Sequence, residues 1–87
     1  MQVHIPMPLR SYTQVKQVEA NGATLAELLI DLDRRYPGLR FRIVDEQDQL
    51  RPHVKLFVNQ RVAQSLTEPV ESKDALRIVM AISGGYC

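Results

Sequence analysis

A single cysteine, Cys87, stands in this chain of 87 residues, and it is the last of them. No internal disulfide can form, and cysteines of one chain cannot assemble a zinc or iron–sulfur site. Blocks of like charge are also missing: 11 basic and 10 acidic residues are mixed along the chain, leaving a net charge of +1. A nucleic-acid or lipid-surface footprint is therefore not expected. No apolar run approaches the roughly 20 residues of a membrane span. The first ten residues, MQVHIPMPLR, lack the basic-then-apolar order of a signal peptide. A cytoplasmic protein with no membrane partner is the expectation. Internal repeats and low-complexity stretches are absent as well.

What is present is ordinary globular composition, 45% hydrophobic and 24% charged, which argues against disorder. A chain of this length has room for one core and little area for a deep cleft. Val3, Ile5, Met7 and Leu9 alternate with His4, Pro6 and Pro8, which predicts a half-buried strand over 3–9. Pro6 and Pro8 remove donors from one edge, so pairing there should fail beyond Ile5. The segment 12–19, YTQVKQVE, has its apolar residues at 12, 15 and 18, a spacing that separates strand from helix poorly. It is assigned as strand, stopped by Asn21-Gly22.

A helix follows. Thr24 and Glu27 form a capping box, and Leu25, Leu28, Leu29, Leu32 and Tyr36 make one apolar stripe. Asp31, Asp33, Arg34 and Arg35 are expected to face mostly outward, and Pro37-Gly38 to end the helix. A short apolar piece, FRIV at 41–44, leads into a polar turn. HVKLFVN at 53–59 points Val54, Leu56 and Val58 inward, and LRIVMAIS at 76–83 points Leu76, Ile78, Met80 and Ile82 inward. Residues 67–70 and 72–74 are assigned as connections. The sum is a small α+β domain with a mixed sheet covered by one main helix, spanning 1–83, with 84–87 as a flexible C-terminal tail.

Chemistry is scarce. His4 and His53 fall at outward strand positions with no acid or nucleophile at a suggestive spacing, so surface histidines are expected rather than bases. Asp45, Glu46 and Asp48 cluster in a turn without calcium-loop spacing. Phosphate-binding glycine loops are missing, and the chain is not expected to be an enzyme. Two features stand out. Phe57, Val79 and Ala81 face away from the helix and could form a docking patch, though isolated exposed apolar residues are also normal. The chain also runs Ser83-Gly84-Gly85-Tyr86-Cys87 directly after its last strand. Two glycines make a slim segment that can thread a narrow channel; the bland alternative is a frayed terminus.

The stretches VHIPMPLR, TLAELLIDLDRRYPGLRFRIVDEQDQLRPHVKLFVN and LRIVMAISGG resemble the β-grasp sulfur carriers of the MoaD/ThiS family of ubiquitin-like proteins, most of all the CysO-type carriers. The resemblance runs to Gly85. It implies a ubiquitin-like β-grasp fold and a carrier with no bound cofactor, which an E1-like enzyme adenylates with ATP at a terminal glycine. A sulfur donor then converts that end to a thiocarboxylate. Gly85 would bear the sulfur, Ser83 and Gly84 would belong to the arm, and Val79 matches a position used for docking the activating enzyme. Two departures are visible. Many members carry Asp-Gly-Asp before the last strand, where this chain has Lys73-Asp74-Ala75. Typical carriers end at the second glycine, whereas Tyr86 and Cys87 follow here. Carriers of thiocarboxylate siderophore pathways are similar in this, and a JAMM-type zinc protease trims them. The implied partners are that protease, the E1-like enzyme and a sulfur-accepting biosynthetic enzyme. A ubiquitin-like modifier forming isopeptides through Gly85 is the alternative; a tail-thiol role for Cys87 ranks last, since nothing in the sequence lowers its pKa.

Overall fold

Two prolines decide where the first strand ends. The computed structural model describes residues 1–80. In it, strand β1 covers only Gln2–His4, Met7–Leu9 form a 3-10 turn, and Arg10–Thr13 form the short helix α1. The strand expected over 3–9 is thus cut to less than half. Proline lacks an N–H and its fixed φ suits the first turn of a helix, so Pro6 and Pro8 turn the chain instead of extending it. Ile5 still donates to the Lys16 carbonyl at 2.7 Å, and Leu9 donates to the Pro6 carbonyl at 3.0 Å. Ile5 and Leu9 are buried, but Met7, expected inward, is 73% exposed.

The segment 12–19 also divides. Tyr12 and Thr13 finish α1, Gln14 adopts φ 66°, and strand β2 is only Gln17–Glu19. Val18 enters the core while Val15 stays exposed. A left-handed residue reverses the chain locally, which no continuous strand could do.

Helix α2 spans Leu25–Arg35. Thr24 Oγ1 accepts from the Glu27 N–H at 3.3 Å, and Glu27 Oε1 accepts from the Ala23 N–H at 3.1 Å. The capping pair is present, with the glutamate reaching one residue further back than the usual reciprocal bond. Leu25, Leu28, Leu29 and Leu32 are fully buried. Gly22 lies against this first turn so closely that a Cβ would sit 2.5 Å from the Leu28 nitrogen, so no other residue fits there.

Asp31 corrects a second expectation. It is buried, not outward. Its carboxylate accepts from Arg34 at 2.6 Å, from Arg35 at 2.9 Å and from the Asn21 N–H at 2.9 Å. The two arginines pair with the acid within the helix, and the Asn21 N–H ties the helix to the end of β2. The Arg34 bond and the Asn21 N–H hold its pKa at about 2, below the ordinary 3.8.

The FRIV piece is helical: helix α3 spans Leu39–Ile43. Gly38 opens it at φ 95°, and Asp33 Oδ1 accepts from the N–H groups of Gly38 and Arg40 at 3.0 and 3.3 Å. One acid of α2 therefore caps α3. In the turn that follows, Asp45 Oδ1 accepts from Gln47 and Gln49 at 2.9 and 3.0 Å.

Strands β3 (Val54–Val58), β4 (Arg61–Val62) and β5 (Ala75–Met80) complete a five-stranded sheet in the order β2-β1-β5-β3-β4. β1 and β5 pair in parallel at its middle; the other pairs are antiparallel. Val3, Val54, Leu56, Val58, Leu76 and Ile78 are buried beside the leucines of α2. Residue 70, assigned to a connection, also belongs to the core: Val70 is buried and its N–H reaches the Ala23 carbonyl at 3.0 Å. The α+β fold with a mixed sheet and one main helix is the architecture observed.

Leu29→Ala should cost about 2–5 kcal/mol in urea unfolding, since it empties a fully buried site. Asp31 gives a pH signature. Its folded pKa is depressed, so its contribution is complete above about 4 and is lost as pH falls toward 2. The stability gap between wild type and Asp31→Asn should hold from pH 7 to 5 and close below 4.

Candidate functional site

The covering helix occupies one face of the sheet, and strand alternation sends every second residue to the other. On β3 and β5, Phe57 faces Arg77 and Lys55 faces Val79. Arg77 has His4 of β1 on its other side, and Phe57 has Val62 of β4. The result is a two-by-two arrangement, with Phe57 and Val79 on one diagonal and Lys55 and Arg77 on the other. Val79 and Val62 are 38% and 37% exposed, and Phe57 is half-buried. A depression of about 370 Å³ is lined by Phe57, Asn59, Gln60, Arg77 and Val79. A second, of about 240 Å³, adjoins it through Asn59 and Arg77 and reaches Gln2, His4 and Gln17.

The structure therefore brings Phe57 and Val79 together. Ala81, Ser83, Gly84, Gly85, Tyr86 and Cys87 lie outside the described residues. Lys55, Arg77 and Val62 were missed by sequence reasoning. The first two share the parity of Phe57 and Val79 and could have been found from it. Val62 sits on a two-residue strand that carries no alternation.

Asn59 fixes how β5 enters this face. It takes φ 60° in the turn between β3 and β4, a conformation asparagine tolerates better than most residues. Its Oδ1 accepts from the Ala75 N–H at 3.1 Å, its Nδ2 donates to Asp74 at 3.2 Å, and its N–H donates to the Ala75 carbonyl at 2.8 Å. Asp74 in turn accepts from the Glu71 N–H at 2.9 Å. That bond and the Asn59 amide lower its pKa. Lys73-Asp74-Ala75 thus makes a well-bonded turn without the Asp-Gly-Asp spelling. On the far side of β4, Glu68 accepts from Arg61 and from the Gln64 N–H, both at 2.5 Å, and these lower its pKa.

The other titratable candidates do not gather. His4 sits half-exposed on the open face, whereas His53, expected on a strand, occupies the exposed turn before β3. Asp48 pairs with Arg40. Among the described residues no cluster of His, Cys, Asp or Glu could hold a metal ion, and no helix is long and apolar enough to cross a membrane.

A mixed sheet with its two central strands parallel, one covering helix and a diglycine beyond the central strand defines a ubiquitin-like β-grasp protein. The chain belongs to the ThiS family, which it matches over residues 3–85. The sulfur carrier protein CysO of Mycobacterium tuberculosis (strain ATCC 25618 / H37Rv) is 33% identical over 89 residues, covering 95% of this chain and 96% of that protein. A chain in the crystal structure of the Amycolatopsis orientalis BexX/CysO complex superimposes with a TM-score of 0.88 at 35% identity, covering 97% and 98% of the two chains. SAMP1 from Haloferax volcanii superimposes at 0.79 with 25% identity, covering 98% of each. The curated relatives are sulfur carrier proteins, and this chain is of their CysO type.

Asn59→Ala should lower stability by about 1–2 kcal/mol, from lost hydrogen bonds and a disfavoured left-handed φ. Asn59→Gly should recover the backbone part only. Chemical denaturation of the three proteins measures both.

Proposed function

We propose that this chain is the precursor of a thiocarboxylate sulfur carrier whose reactive end is Gly85. The observation that carries this reading is where the family match stops. It runs from residue 3 to Gly85 and leaves Tyr86 and Cys87 outside. Because residues follow Gly85, its carbonyl is an amide and cannot be activated as it stands. A JAMM-type zinc protease supplies the water that hydrolyses the Gly85–Tyr86 bond, releasing Tyr86-Cys87 and a glycine carboxylate.

A carboxylate oxygen of Gly85 then attacks the α-phosphorus of ATP on an E1-like partner, and pyrophosphate leaves. The acyl-adenylate so formed has a good leaving group. Hydrosulfide released by a sulfur donor attacks its carbonyl carbon, AMP departs, and loss of the S–H proton leaves a thiocarboxylate. That sulfur is the group passed to a biosynthetic enzyme for cysteine or homocysteine, a siderophore or a similar product. Neither glycine has a Cβ, so the end fits a channel too narrow for other residues. The open face is the docking surface: Phe57 and Val79, with Ala81 two residues on, engage the activating enzyme. Gly85 is five residues beyond Met80, so its carbonyl lies within about 18 Å of the end of the described strand. Docking and chemistry can share one enzyme surface.

The likeness to SAMP1, a small archaeal modifier protein, favours one second reading. In it the same acyl-adenylate ends in an isopeptide on lysines of other proteins. Mass spectrometry of the protein purified from its own cells separates the two. The carrier reading expects a chain ending at Gly85 with a sulfur-for-oxygen mass increase. Diglycine remnants on target lysines, without that increase, would establish the modifier. Permanent retention of Tyr86 and Cys87 would sink both.

A further inference from the structure

The open face is not uniformly apolar, and its charges have one sign where the apolar residues lie. Outward positions on β5 and β3 are Ala75, Arg77, Val79, Lys55 and Phe57, and β1 and β4 add Gln2, His4 and Val62. None of these is acidic. Lys55 and Arg77 form no ion pair among the described residues, which is equally true of Arg10, Lys16, Arg42 and Arg51; what sets them apart is their place in this outward set beside Phe57 and Val79. The acid of the outward set nearest in the sheet is Glu19, on the far edge strand, beside the Met1 ammonium at 3.6 Å. The two unmatched cations flank the Phe57–Val79 diagonal on opposite sides, with backbone positions about 7–8 Å apart.

Resting on the carrier reading, we propose that the activating partner docks here through an apolar side chain set between two carboxylates, one for Lys55 and one for Arg77. The apolar group enters the depression lined by Phe57, Arg77 and Val79, and the carboxylates close on the cations at its two corners. Charge at the rim of an interface steers encounter and fixes register more than it adds affinity. Here the alternating corners fix register: a one-strand shift would set a carboxylate over Phe57 or Val79. Two isolated cations are too few to hold a nucleic-acid backbone, which needs many phosphate contacts for useful affinity.

The test uses the chain ending at Gly85. ATP–pyrophosphate exchange, run against the adenylating enzymes of the same cell, first identifies the partner. With that enzyme, Lys55→Glu and Arg77→Glu should each raise the KM for the carrier about tenfold at low salt, leave kcat unchanged and flatten the salt dependence of kcat/KM. Lys55→Gln and Arg77→Gln should give smaller shifts in the same direction. Both sites are exposed, and circular dichroism checks that the fold is kept. An unchanged KM in the charge variants, with a raised KM in Phe57→Ala, overturns the carboxylate inference while leaving the carrier reading intact. No exchange with any adenylating enzyme overturns the carrier reading and the inference with it.

Discussion

Parallel pairing of β1 with β5 is the constraint from which the rest follows. Two strands far apart in the chain cannot lie parallel through a tight turn; the connection must cross the sheet, and here it carries α2. That helix covers one face and buries its leucine stripe against Val3, Leu56, Leu76 and Ile78. Among the described residues no helix covers the opposite face. Its half-buried phenylalanine and exposed valines are thus a consequence of topology, and the docking proposed for them uses a surface the fold already leaves open.

Several polar contacts keep the crossing helix in place, and each works at a junction. Asp31 joins α2 to the end of β2 through Asn21. Asp33 joins α2 to α3 through Gly38 and Arg40. Glu27 and Thr24 hold the entry, where Gly22 allows the backbone of the preceding turn to approach the helix without a side chain between them. Asn59 plays the same part for β5. The hydrophobic contacts supply most of the stabilisation, and these acids and amides define the angles at which elements meet.

Legibility of the sequence followed the length and regularity of each signal. Helix α2, with its cap and five-residue stripe, and strands β3 and β5, with clean alternation, were readable because burial on one face imposes a period. The β1 region was misread past Ile5 because Leu9 continues the alternation by accident while Pro6 and Pro8 make a 3-10 turn. Tyr12 and Val15 lie on opposite sides of a left-handed Gln14, which no spacing rule detects. Asp31 looked solvent-facing because a charge usually is; its burial depends on two arginines placed three and four residues on, a pattern that was visible but ambiguous. Phe57 and Val79 were readable from parity alone. That Lys55 and Arg77 occupy the other two corners required the register between strands, which is a long-range property.

The placement of β5 also has a mechanical consequence. It is hydrogen-bonded on both sides, to β1 and to β3, and the residues leading to Gly85 continue from it. Any tension transmitted along the chain into Met80 would load both ladders in shear, so their hydrogen bonds resist together instead of opening one after another. An edge strand in the same position would peel. On the proposed carrier reading, a terminus handled by successive enzymes is anchored to the strand least able to be drawn out.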